Sequence, residues 1–80
     1  MDTKDEAEFK AKYPKLYAFA VNTAQEDGTD LTKHPFTQLE MYDEEYAEIQ
    51  FGEYVIGVQG SEDGSFGEWS LESSGPLNLS

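Results

Sequence analysis

Residues 46–59, YAEIQFGEYVIGVQ, decide the fold. Read in steps of two, Ala47, Ile49 and Phe51 lead into a Gly52-Glu53 pair, and Tyr54, Ile56 and Val58 lead away from it. A period of two marks a strand with one buried face. A two-residue connection with glycine first suits the type II′ turn of a tight hairpin. The hairpin sets Phe51 opposite Tyr54, Ile49 opposite Ile56 and Ala47 opposite Val58. A slip of one residue would turn all of these side chains to solvent, so the pattern also fixes the register.

Working outward, a three-residue connection, Asp43 to Glu45, pairs Met41 with Ala47 and Leu39 with Ile49. A four-residue loop, Ser61 to Gly64, pairs Ile56 with Trp69 and Tyr54 with Leu71. The expected inward face is then Leu39, Met41, Ala47, Ile49, Phe51, Tyr54, Ile56, Val58, Trp69 and Leu71. Residues 37–48 have a helical alternative, because Thr37 with Glu40 is a capping-box pair and Phe36, Leu39, Tyr46 and Ile49 fit one helix face. That helix would stack Glu40, Glu44 and Glu48 at successive i,i+4 positions with no lysine to offset them.

Ahead of the sheet, Thr3 followed by Glu6 predicts a helix starting near Lys4. Pro14 lacks a backbone donor and suits the first turn of a second helical segment. Leu16, Phe19, Ala20 and Thr23 share a face of that segment, which ends before Glu26-Asp27-Gly28. Tyr17, Phe19 and Val21 also alternate with alanines, which admits a strand over Leu16 to Val21. The expectation is an α+β domain, N-terminal helical segments on one face of a three- to four-stranded antiparallel meander. Its parts are a helical, charge-balanced 1–24, a loop at 25–35, an acidic sheet at 36–72 and a flexible tail at 73–80.

Charge is distributed unevenly over this plan. Residues 1–24 carry four acids and four lysines, whereas residues 25–80 carry thirteen acids against Lys33 alone, for a net charge of −12 with no arginine. Such an excess repels itself in a compact chain and repels DNA and anionic membranes, which are read by clustered Lys and Arg. Aromatic content of 14% separates the chain from acidic disordered tails. The absence of cysteine removes disulfides and thiolate metal sites and fits a reducing cytosol. Met1 to Lys12 is polar and mixed in charge, unlike a signal peptide.

No enzymatic chemistry is expected, nor any cofactor or metal. His34 is the sole histidine, the serines lie in turns or the tail without a base beside them, and 80 residues leave little room for an enclosed cleft. The acidic loops 26–30 and 61–65 lack the ligand spacing of an EF-hand and read as turns.

The outward face of the sheet is where function is expected. The register places Glu40 directly across from Glu48, an arrangement that destabilises a sheet, with Glu68 on the same row beyond Gly57. Tyr42, Tyr46, Val55 and Phe66 lie among them, Asp43, Glu44 and Glu45 at one end, and Glu53 at the other. Acids two apart on a strand are ~6.8 Å apart, comparable with two phosphate steps along one DNA strand. The candidate partner-binding set is Glu40, Tyr42, Asp43, Glu44, Glu45, Tyr46, Glu48, Glu53, Phe66 and Glu68. A solvated face that keeps a small domain soluble is the plainer reading of the same charges.

Small size, high negative charge, absent cysteine and the stretches Asp43-Glu44-Glu45 and Glu62-Asp63 give a chain that resembles the small acidic inhibitors encoded by phages, of the DNA-mimic and anti-CRISPR type. The resemblance is one of composition, without a motif matched position by position. It implies a protein of the host cytosol that occupies the basic DNA-binding surface of a bacterial defence complex and blocks target capture. The alternatives are an immunity or antitoxin protein that neutralises a basic toxin, and a small structural or adaptor domain of a phage particle.

Overall fold

The computed structural model describes residues 2–43 and 45–76. The order of elements is β1 (Asp2–Thr3), α1 (Glu6–Lys12), α2 (Pro14–Glu26), β2 (Phe36–Met41), β3 (Tyr46–Phe51), β4 (Tyr54–Gln59) and β5 (Ser70–Pro76). β2 to β5 form an antiparallel meander, and the two-residue β1 adds to its open edge beside β2. The fold is the expected α+β arrangement.

The hairpin reading holds residue by residue: Phe51 pairs with Tyr54, Ile49 with Ile56 and Ala47 with Val58. So does the first strand, with Met41 opposite Ala47, Leu39 opposite Ile49 and Glu40 opposite Glu48. Residues 36–41 are thus strand, not helix. Leu39, Ala47, Ile49, Phe51, Tyr54, Ile56 and Val58 are buried, and Met41 and Trp69 pack against them.

The helices cover this face. Phe9 of α1 is fully buried, edge-on to Tyr17 at 5.3 Å between ring centroids and against Phe36 at 5.2 Å. Leu16, Ala20, Thr23 and Ala24 of α2 are buried, with Phe19 partly so, and Leu16 to Val21 is helical. Pro14 occupies the first turn of α2 as expected.

The start of α1 differs from expectation. Its N-cap is Asp5, whose Oδ1 accepts the N–H groups of Ala7 (3.0 Å) and Glu8 (3.4 Å). Thr3 lies one step further out, paired with Leu39 in β1, and its Oγ1 accepts the N–H of the cap residue Asp5 at 3.2 Å rather than an N–H of the helix.

The last strand is displaced. Instead of Ile56 with Trp69 and Tyr54 with Leu71, Val58 pairs with Leu71, Gly57 with Ser73 and Ile56 with Ser74. Leu71, expected inside, is 45% exposed. Residues 73–76 belong to β5 rather than to a flexible tail, and residues 77–80 lie outside the described residues. The cause is the loop before β5, which runs over 60–69 rather than turning at 61–64. Ser61 N–H donates to the Gly67 carbonyl, Ser61 Oγ accepts the Phe66 N–H at 2.9 Å, and Asp63 Oδ1 accepts the Ser65 N–H. Gly60 permits the closure: a Cβ there would lie 2.6 Å from the Glu68 carbonyl oxygen, and its φ of +139° suits glycine.

Candidate functional site

The outward face of β2 and β3 carries the most concentrated chemistry. Glu40 and Glu48 are paired across the strands, and the pair is tolerated because tyrosines beside it supply donors. The Tyr42 hydroxyl donates to Glu48 Oε1 at 2.9 Å and the Tyr46 hydroxyl to Glu48 Oε2 at 3.4 Å. The two rings lie 5.7 Å apart. Hydrogen bonding with Glu40 and Glu48 pushes the Tyr42 phenol well above its usual range, and burial together with the charges of Glu48 and Glu72 pushes Tyr46 up as well. Both phenols therefore stay protonated and available as donors.

Tyr46 reaches across the sheet. A Cβ on Gly57 would come within 2.6 Å of its hydroxyl and 2.8 Å of Ser73 Oγ, so Gly57 is the space in which the ring end lies. Beyond it the ladder is irregular between Gly57 and Val58, and Glu72 is the extra residue on β5. Its charge reaches Tyr46. Glu72 thus provides the acid beyond Gly57 that had been expected from Glu68. Glu68 instead sits exposed in the 60–69 loop, because the register in β5 is shifted.

The rest of the expected set divides. Asp43 and Glu45 form the β2–β3 turn, where Asp43 Oδ1 accepts the Glu45 N–H at 2.8 Å. Glu44 lies outside the described residues. Glu53 is in the β3–β4 turn, at the opposite end of the strands from Asp43 and away from the tyrosines. Phe66 is half-exposed as expected, but on the loop rather than on a strand. Among the described residues the one ion pair joins Lys12 to Glu8, so no lysine there neutralises Glu40, Glu48 or Glu72.

At the Asp43 end the folded loop, the β2–β3 turn and the junction between the helices enclose an open groove of about 930 Å³. Tyr13, Met41 and Trp69 line it from the core side, Tyr42 and Phe66 flank it, and Asp43 and Asp63 stand among them. Backbone and side-chain hydrogen bonds from Ser65 hold the Asp63 carboxyl below its ordinary range, so it stays charged.

Glu62, part of one of the acidic stretches, faces inward. Tyr13 gives α2 no side-chain cap, and Glu62 supplies one from the loop: Oε2 accepts the Lys15 N–H at 2.8 Å and Oε1 the Leu16 N–H at 3.1 Å. Trp69 Nε1–H also donates to Oε1 at 3.2 Å. A carboxylate at a helix N-terminus satisfies otherwise unpaired N–H groups and the positive end of the helix dipole. At the other end of α2, the Tyr54 hydroxyl donates to Asp27 Oδ2.

The described residues contain no grouping of three or more His, Asp or Glu placed to hold a metal ion. None of their helices is long and apolar enough to cross a membrane. No family model, no curated protein and no solved structure matches the chain.

Proposed function

We propose that this protein is an acidic inhibitor that binds the basic, nucleic-acid-binding surface of a host defence complex, of the anti-CRISPR or anti-restriction type, and excludes DNA by presenting charge in its place. It acts in the host cytosol by occupancy rather than catalysis. The observation that carries this reading is the Glu40–Glu48 pair on an outward sheet face. Like charges directly opposite cost stability, and nothing cationic in the described part of the chain offsets them. Two tyrosine hydroxyls hold the Glu48 carboxylate in place, and a fixed anion loses less freedom on meeting a Lys- or Arg-lined channel than a mobile one. The same field draws the protein toward such a channel and keeps free DNA away.

The test is capture from a host lysate on immobilised protein, followed by salt and by double-stranded DNA. A captured DNA-binding protein that leaves with salt and is displaced by DNA supports the reading. Capture that resists both, or that is unchanged when Glu40, Glu48 and Glu72 are all replaced by Gln, overturns it. The groove beside the acidic face adds shape to charge and also suits an immunity protein against one basic toxin. In that case the captured protein is a toxin, and DNA displaces it only if the toxin acts on nucleic acid.

A further inference from the structure

We infer that the groove between the 60–69 loop and the β2–β3 turn receives a single arginine side chain from the basic partner; the identity of the occupant rests on the function proposed above. The walls are aromatic. Phe66 is 50% and Tyr42 55% exposed, while Trp69 and Tyr13 are half-buried behind them. Rings left open to water gain from being covered, yet the presence of Asp43 and Asp63 makes an apolar occupant costly, since it would strip water from two carboxylates.

A side chain that answers both conditions has a flat apolar face and a positive charge. The guanidinium group stacks on aromatic rings and pairs with carboxylates through a planar fork, whereas the lysine ammonium is a strongly hydrated point charge. Both carboxylates are held toward fixed directions, each by a backbone N–H of its own turn. Glu62, though close, is already engaged by two backbone N–H groups and the Trp69 indole, so the positive charge is left to the two aspartates. Residues 1–80 contain no arginine, so the assigned side chain comes from a partner rather than from a second copy of them.

The experiment is a titration of ¹⁵N-labelled protein with the tripeptide acetyl-Gly-Arg-Gly-amide, alongside its lysine and citrulline counterparts. The expected result is saturable shifts of the Trp69 indole N–H and of the Asp43 and Phe66 amides with the arginine peptide, and weaker ones with the other two. Phe66→Ala, at an exposed side chain, should weaken binding by roughly threefold or more. Asp43→Asn, which keeps the Oδ1 acceptor of its turn, should weaken it as well. Glu26→Gln, exposed at the end of α2 opposite the Glu62 cap, should leave it unchanged. Equal shifts with the lysine or citrulline peptide overturn the arginine assignment. Shifts spread evenly over the acidic face, or unaltered by both groove variants, overturn the groove. Because the titration needs no partner protein, it reads the groove even if the wider inhibitory function fails, and capture of a partner that is indifferent to Phe66→Ala overturns the groove's role in docking alone.

Discussion

The Glu62 carboxylate accepts the backbone N–H of Leu16 across 46 residues of chain, and so ties the loop that precedes β5 to the first turn of α2. With the Lys15 N–H and the Trp69 indole on the same carboxylate, this contact fixes one end of the helix layer to one end of the sheet.

Glu62→Ala should therefore destabilise the domain by about 1–2 kcal/mol, the usual cost of a lost N-cap. For a chain of this size that corresponds to a fall in Tm of roughly 4–8 °C per kcal/mol. Thermal unfolding followed by circular dichroism measures it. A midpoint equal to that of the parent protein would mean that the cap contributes nothing in solution.

Glu48→Gln should behave in the opposite way. The amide oxygen can still accept the Tyr42 hydroxyl, while the repulsion from Glu40 disappears, so Tm should stay level or rise. Partner capture should weaken. A sharp loss of stability would make the carboxylate a structural element rather than a binding one.

The tyrosines make stability depend on alkaline pH. Burial, followed by the hydrogen bond to Asp27, pushes Tyr54 up to about 12, whereas a tyrosine of the unfolded chain titrates near ~10. The folded state therefore holds the proton more tightly. This contribution is fully present below about pH 10 and is lost as pH rises from there through about 12. Unfolding by urea at a series of pH values should show stability falling across that window, and Tyr54→Phe should flatten the fall. An alkaline limb unaltered by Tyr54→Phe would assign it to other groups.

Gly57→Ala probes the outward face without touching a carboxylate. The added methyl would meet the ends of two side chains, Tyr46 and Ser73, rather than backbone, so the fold should survive. Tyr46 must move, and the Glu48 carboxylate loses one of its donors. The expected outcome is an amide spectrum changed around Tyr46 and Glu48, with the unfolding free energy altered by no more than about 1 kcal/mol. Loss of the folded state would show that the Tyr46 ring cannot be displaced.

Ile56→Ala removes a fully buried side chain from the centre of the sheet and should cost about 2–5 kcal/mol, enough to unfold much of a domain this small. Urea denaturation would reveal it, and a variant as stable as the parent would contradict the packing described.

What could be read from sequence followed the range of the interaction. The β2–β3–β4 register and the Glu40–Glu48 pair were legible because alternation and a two-residue turn are local signals. β5 was misplaced because its register depends on a loop closed by Ser61 Oγ, Asp63 and the tight approach at Gly60, none of which has a periodic signature. Trp69 looked like a ladder residue opposite Ile56, yet its indole is turned toward Glu62. With that error went Glu72, whose place on the outward face follows only from the irregular pairing beside Gly57. β1 has two residues and no pattern at all.

The inward turn of Glu62 also separates two kinds of acid in how the chain can diverge. On the function proposed above, an exposed loop acid such as Glu68 would act through the field alone, so aspartate and glutamate could exchange there and even migrate between neighbouring positions as lineages separate. At position 62 the length of the side chain and its bonds to a helix and an indole are what count. Substitution there should be rare and coupled to change at Trp69, so that in distant descendants an acid facing a tryptophan across seven residues would outlast the overall negative charge.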